Sequence, residues 1–379
     1  MPTADFIFIL LATLCSLHLC HSFTRYIVGG VSGRHIQASS PTELFETTTQ
    51  TKLDVSMEQW YEEQGIICPN IELRTTTKSV GGRGLFWKQS KYHVKQGDIL
   101  AYIPHSLVFE MSNLRKTFPE LDELHNEIND KEGSKLSSLS SSLSWSSIFT
   151  TYACEALLEP NVWKTWIELW SGGGPDVVRS SISYSEEEIS LLTKIINDGD
   201  YDSSIEEKIR AMIDKRHRTF VRDMNSVRNC TASNEETFAN LYSIILSRSA
   251  SLGPQWQNRR GVIPLHDMIN HPSSSDGRKS KNVELFCVGD VRNMAGDEMF
   301  KHLFSSLLQT SDVIGDTSNE SVGLEKDILE SYSDTDILIV AGRNINHDDE
   351  LLLSYRDCSK EVEIEHQIWL LLQYGFNFW

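Results

Sequence analysis

The sequence predicts an α+β fold in which short strands flank a large helical insert. Three observations carry this. Apolar runs of strand length, such as Ile99 to Ile103 and Asp336 to Val340, lie on either side of the insert. Between them, from Asn113 to about Arg248, apolar residues recur at helical spacing. No repeat and no strand–helix alternation occurs, so a doubly wound parallel sheet is not expected.

The first element is a short amphipathic helix over Val55 to Gln64, carrying Trp60 and Tyr61. Ile71 to Arg74 and Leu85 to Trp87 read as strands around the Gly81-Gly82-Arg83-Gly84 turn. Gly97-Asp98 leads into the strand Ile99 to Ile103, and Pro104 ends it. Inside the insert the clearest helices are Ile148 to Leu158, Glu186 to Asn197, Ser204 to Arg216 and Glu235 to Ser247. Serine-rich Ser134 to Ser147 reads as a loop between helices. Strand character returns at Val283 to Val288, and Gly289 to Asp334 then reads as a polar insertion. Asp336 to Val340 and Glu350 to Ser354 follow as strands, and a helix over Glu361 to Gln373 closes the chain.

The N-terminus has a different character. Phe6 to Cys20 is one apolar run, shorter than the ~20 residues of a membrane span and suited to the core of a signal peptide. Met1 to Asp5 lacks the usual basic residues before it. Residues 1–22 are therefore read as a cleaved signal and no stable membrane insertion is expected. Residues 23–54, rich in Ser and Thr, read as a transit-like or disordered linker. That pairing resembles the two-part presequence of algae with complex plastids. The expected route is secretory, ending in a complex plastid; the alternative is secretion or an endomembrane lumen.

Cysteine use bears on the final compartment. Cys15 and Cys20 fall in the leader; Cys68, Cys154, Cys230, Cys287 and Cys358 remain, widely spaced and without a C-x-x-C. Neither a disulfide framework nor a zinc cluster is implied, and no metal is expected. The 379 residues carry 35 Lys+Arg against 53 Asp+Glu, a net charge of −18. This argues against a nucleic-acid coat, which needs a basic face, and permits a basic protein partner drawn in by the field.

Three segments carry polar groups that a plain core would not need. The first is Gly82-Arg83-Gly84-Leu85-Phe86, where glycine lets backbone approach a ligand closely. The second, Val262 to Pro272, delivers Asp267, Asn270 and His271 within a few positions. Asn and His both donate and accept, which suits a ligand rich in heteroatoms; a satisfied buried polar cluster explains the same residues. The third is Glu350-Leu351-Leu352-Leu353-Ser354-Tyr355, followed further on by Tyr374-Gly375-Phe376. A Tyr ending an apolar strand can present its hydroxyl to a pocket while its ring stays packed, though a core tyrosine reads the same way.

Taken together and in this order, from about Val80 to Phe376, G-R-G-L-F, S-R-S around Arg248, D-M-I-N-H, E-L-L-L-S-Y and Y-G-F resemble the SET domain of protein methyltransferases. They are most similar to the branch of the Rubisco large-subunit lysine methyltransferase. The resemblance assigns residues 55–379 to one SET domain, with a helical insert at about 113–247 and a polar insertion at about 289–334. It implies small antiparallel sheets and a C-terminal segment threaded beneath a loop, an exception to the rule against knots. It also implies S-adenosylmethionine as cofactor and a protein with an exposed lysine as substrate; some relatives methylate histidine.

Carried over by position, backbone at Gly82, Arg83, Gly84, Leu85 and Phe86 would line the cofactor site. Arg248 would lie against the cofactor's amino-acid end. Asn270 and His271 would hold its adenine and methionine portions, with Asp267 bracing their turn. Tyr355 matches the catalytic tyrosine, and Tyr374 and Phe376 match the aromatic wall of the transfer channel. Two features depart from the family. The link Arg356 to Gln373 is longer, with His366-Gln367 in place of the usual Asn and acid. No counterpart of the family's C-terminal helical domain precedes Trp379: either the sequence is truncated or the substrate is gripped otherwise. A SET-like module that binds but does not transfer is the alternative reading.

Overall fold

The computed structural model describes residues 48–49, 52–76, 83–88, 93–123, 143–171, 184, 186–196, 202–227, 234–251, 260–270, 281–309, 332–353 and 368. The leader and most of the linker lie outside the described residues, as do Gly82, His271, Tyr355, Tyr374 and Phe376. All of the helix expected over Glu361 to Gln373 except Ile368 lies there too.

The architecture is α+β, with three small antiparallel sheets and a helical insert. In the first sheet β1 (Thr48–Thr49), β2 (Ile71–Thr76) and β3 (Arg83–Trp87) run in that order. The β2–β3 register runs from Ile71 opposite Trp87 to Thr75 opposite Arg83. Helix α1 (Lys52–Glu63) lies between β1 and β2 and buries Met57, Trp60 and Tyr61. Both β1 and the first turn of α1 come from the stretch read as linker.

The second sheet places β9 (Ile337–Ala341) between β4 (Ile99–Ile103) and β8 (Val283–Cys287). Every residue of β3, β4 and β9 is buried, and β4 and β9 read as continuous apolar runs rather than alternating ones. The third sheet is shorter: β5 (Phe109–Glu110) and β6 (Ala250–Ser251) both pair with β7 (Arg260–Val262). It joins the two ends of the insert.

Among the described residues the insert holds α2 (Met111–Thr117), α3 (Trp145–Leu158), α4 (Lys164–Ser171), α5 (Glu186–Ile196), α6 (Ser203–Val227) and α7 (Glu235–Arg248). Ser144 caps α3, so the last residues of the expected serine loop, Trp145 to Ser147, belong to a helix. Buried Asp223 on α6 fixes that start, accepting from Ser144 N at 2.9 Å and Ser147 Oγ at 2.8 Å. Asn234 caps α7 through Thr237 N at 2.8 Å.

The segment after β8 is not simply polar. It begins with two helices, α8 (Val288–Ala295) and α9 (Asp297–Gln309). Phe300, Phe304, Leu307 and Leu308 are buried against Ile99 and Tyr102 of β4 and Leu338 and Val340 of β9. These apolar positions follow the helical stride, which average composition conceals. A separate cluster packs Ile189 and Leu192 of α5 with Ile205, Ile209 and Ile213 of α6 and with Ile368. Among the described residues no helix is long and apolar enough to cross a membrane.

Candidate active site

Strand β3 is paired on both edges. One edge carries β2; along the other, Leu351 N donates to Leu85 O at 2.7 Å and Trp87 N to Asp349 O at 3.0 Å. Phe86 and Glu350 form an isolated antiparallel bridge. The chain segment 348–353 therefore lies alongside the backbone of Arg83 to Trp87.

Asn270 joins the two. Its Nδ2 donates to Arg83 O at 2.9 Å and to Glu350 Oε1 at 2.7 Å, using both amide hydrogens. Its own carbonyl accepts from Leu353 N at 3.0 Å. Gly84 explains why these groups meet. A Cβ there would lie 2.5 Å from Glu350 Oε1 and 2.9 Å from Asn270 Nδ2, so a side chain would push the pair off the strand. Three segments distant in sequence thus converge at Arg83, Gly84, Asn270 and Glu350.

The turn that delivers Asn270 is tightly held. Pro264 ends the approach and His266 N donates back to Pro264 O at 2.8 Å. This is a γ-turn in which Leu265 takes φ 68° and ψ −52°. Left-handed backbone at leucine costs on the order of 1–3 kcal/mol and persists only where the surroundings enforce it. The enforcing groups lie in the short 3-10 turn His266–Met268 and around it.

Arg248, the last residue of α7, donates through Nη1 to Asp267 O at 2.8 Å and Met268 Sδ at 3.0 Å. The same nitrogen is 3.7 Å from Asp267 Oδ2. From α4, Trp170 Nε1 donates to that oxygen at 3.0 Å. The Asp267 side chain is fully buried; burial raises its pKa to about 6, against the lowering effect of Arg248 and of the indole bond. Burial drives neighbouring His266 the other way, down to about 4, so its imidazole is neutral. Tyr61 of α1 faces the same charges, and its phenol is raised well above its usual value, by burial first and by Asp267 second.

One expected site residue does other work through its side chain. Arg83 turns its guanidinium away to Asp54 of α1, in a buried pair at 3.0 Å; only its carbonyl reaches Asn270. Asp267 braces its turn from within. Leu85 and Phe86 contribute the buried backbone edge. Glu350, Asn282 and Trp170 were not singled out from sequence. Glu350 opens the E-L-L-L-S-Y run, so it could have been found there; the other two carry only long-range signals. Gly82, His271, Tyr355, Tyr374 and Phe376 lie outside the described residues; Asn270 immediately precedes His271 in sequence, and Leu353 stands two positions before Tyr355. Among the described residues no group of three or more His, Cys, Asp or Glu could hold a metal ion.

No protein-family model and no curated protein matches this chain. Several solved structures are similar to it, two of them of one domain. One is the SET domain of LSMT bound to lysine and AdoHcy, at 15% identity and a TM-score of 0.44, covering 86% of this chain and 57% of the other. The second is the same domain bound to methyl-lysine and AdoHcy, at 15% identity and a TM-score of 0.45, covering 87% and 57%. The chain thus spans a little over half the length of those chains.

Proposed function

We propose that this chain is a SET-type methyltransferase that uses S-adenosylmethionine to methylate a lysine side chain of a protein. The observation that carries the reading is the convergence of the Arg83–Phe86 backbone, the Asn270 carboxamide and the Glu350–Leu353 segment. These are the residues whose sequence pattern resembles that family.

The groups present fit the cofactor. Its amino-acid end is a zwitterion beside a sulfonium, which asks for a cation, a carboxamide and an anion close together. Asn270 and Glu350 meet at 2.7 Å, and Arg248 is bonded to Asp267 and Met268 in the turn that delivers Asn270. Buried Arg248 Nε has no hydrogen-bond partner among the described residues and is a spare donor. When bound, S-adenosylmethionine supplies an electrophilic methyl carbon.

The remaining work falls to the chain. Arg248 would hold the carboxylate end, oriented by its bonds to Asp267 O and Met268. Asn270 would present a fixed carboxamide face, and Gly84 would leave room for Glu350 to stay on it. The acceptor amine reacts only as the free base. An apolar channel favours that form by stripping the hydration of the ammonium, and Tyr374 and Phe376 would wall it. The Tyr355 oxygen would orient the amine nitrogen, so that most of the rate comes from alignment. A net charge of −18 suits a basic protein substrate.

Calorimetry with S-adenosylmethionine, then labelled transfer into a protein extract, tests the reading. Asn270→Ala should abolish binding; Tyr355→Phe should keep binding and lose transfer. A parent protein that does not bind the cofactor sinks the proposal, and binding without transfer to any protein leaves the binding module. The leader is proposed to direct the chain through the secretory route to a complex plastid, which a fluorescent fusion of residues Met1 to Leu53 would track.

A further inference from the structure

Leu351-Leu352-Leu353 carries no apolar/polar alternation. Strand register is normally set by such alternation, because a slip of one residue turns every side chain to the opposite face. Here a slip would exchange leucine for leucine along most of the segment. Burial alone therefore does little to oppose it, although it would carry Glu350 off Asn270 and away from Gly84. Something other than the hydrophobic pattern must fix the alignment.

Asn282 supplies it. The residue sits just before β8 and is 1% exposed. Its Nδ2 donates to Glu350 O at 2.7 Å, and its Oδ1 accepts from Leu352 N at 2.7 Å. Its backbone N donates to Leu352 O at 2.9 Å. The carboxamide so takes the place of one rung of a ladder, matching a carbonyl and an N–H on one edge. Asn282 is itself anchored, since Gly342 N donates to its carbonyl at 2.8 Å. The opposite edge of the segment is held by Leu351 N on Leu85 O at 2.7 Å.

We propose that Asn282 is a positioning residue, whose carboxamide sets the register of the Glu350–Leu353 segment and thereby keeps Glu350 on Asn270 over Gly84. Its functional consequence rests on the methyltransferase reading; the register itself does not.

Asn282→Asp in the full chain tests both parts. Ionised, the aspartate offers only acceptors and repels the Glu350 carbonyl; protonated, its hydroxyl donates there and restores the pair. A mere loss of packing has no such dependence on pH. At pH 8, deuterium uptake by the peptide spanning residues 350–353 should quicken about tenfold over the parent, and S-adenosylmethionine should bind roughly tenfold more weakly, the scale of one hydrogen bond to a charged group. Both differences should shrink at pH 5. Equal uptake in parent and variant at both pH values overturns the positioning role. A parent that binds no cofactor, with the uptake pattern intact, overturns the functional reading and leaves the register assignment standing. If N282D does not fold at pH 8, Asn282→Ser carries the uptake comparison; parent-like protection there overturns the proposal.

Discussion

Trp170 Nε1 donates to Asp267 Oδ2 at 3.0 Å, joining a helix of the insert to the turn that delivers Asn270. The carboxylate it reaches has no solvent exposure and lies 3.7 Å from Arg248 Nη1.

Trp170→Phe keeps an aromatic ring, smaller than the indole, and removes the donor. A buried carboxylate that loses a hydrogen bond costs about 1–3 kcal/mol. Denaturant unfolding should show a loss of that size, with the slope unchanged. The variant should also bind S-adenosylmethionine more weakly, because the turn loses one of its fixed points.

Asp267 and His266 impose opposite pH dependences. With its pKa raised from 3.8 to about 6, native Asp267 keeps a proton that the unfolded chain has lost, so its contribution to stability falls as pH rises through that window. With its pKa lowered from 6.5 to about 4, native His266 lacks a proton that the unfolded chain binds, so its contribution rises with pH between those values. In the parent the two slopes oppose each other. Asp267→Asn should uncover a stability that climbs from pH 4 to 6.5, and His266→Gln one that declines from pH 4 to 6. Unfolding free energies measured across that range check both signs.

Asp54→Ala should destabilise the fold by about 3–5 kcal/mol, because it leaves the buried Arg83 guanidinium without its carboxylate. Adding Arg83→Met should recover most of the loss. A thermal or denaturant double-mutant cycle measures the coupling.

Gly84→Ala places a Cβ 2.5 Å from Glu350 Oε1, and the carboxylate must leave Asn270 to make room. Cofactor affinity should fall by on the order of tenfold, about 1.4 kcal/mol. The unfolding midpoint should move little, since a carboxylate can swing more cheaply than backbone.

Strands were legible where local composition alone defines them. Ile99 to Ile103 is bounded by Gly97-Asp98 and Pro104, and the structure keeps those limits. Helix α6 runs to Val227, well past the expected end at Arg216, because Lys215 to Arg218 interrupt the apolar stride before Phe220 and Val227 resume it. Helices α8 and α9 were hidden by charged residues on their outer faces. At the site, the glycine of β3 and the polar residues before Pro272 stood out as chemistry. The partners that fix them did not: Arg83 with Asp54, Asn270 with Glu350 and Trp170 with Asp267 are pairs far apart in the chain. No periodicity reports such contacts.

Ile368 lies with no exposure among side chains of α5 and α6. The insert is therefore sealed by a residue that enters from beyond the last sheet strand. A fragment covering only 113–247 would lack that plug and the Asp267 anchor together, and should behave as an aggregating, partly ordered peptide. Excision is thus a poor route to studying the insert alone, and melting of the parent should run as a single transition spanning insert and sheets.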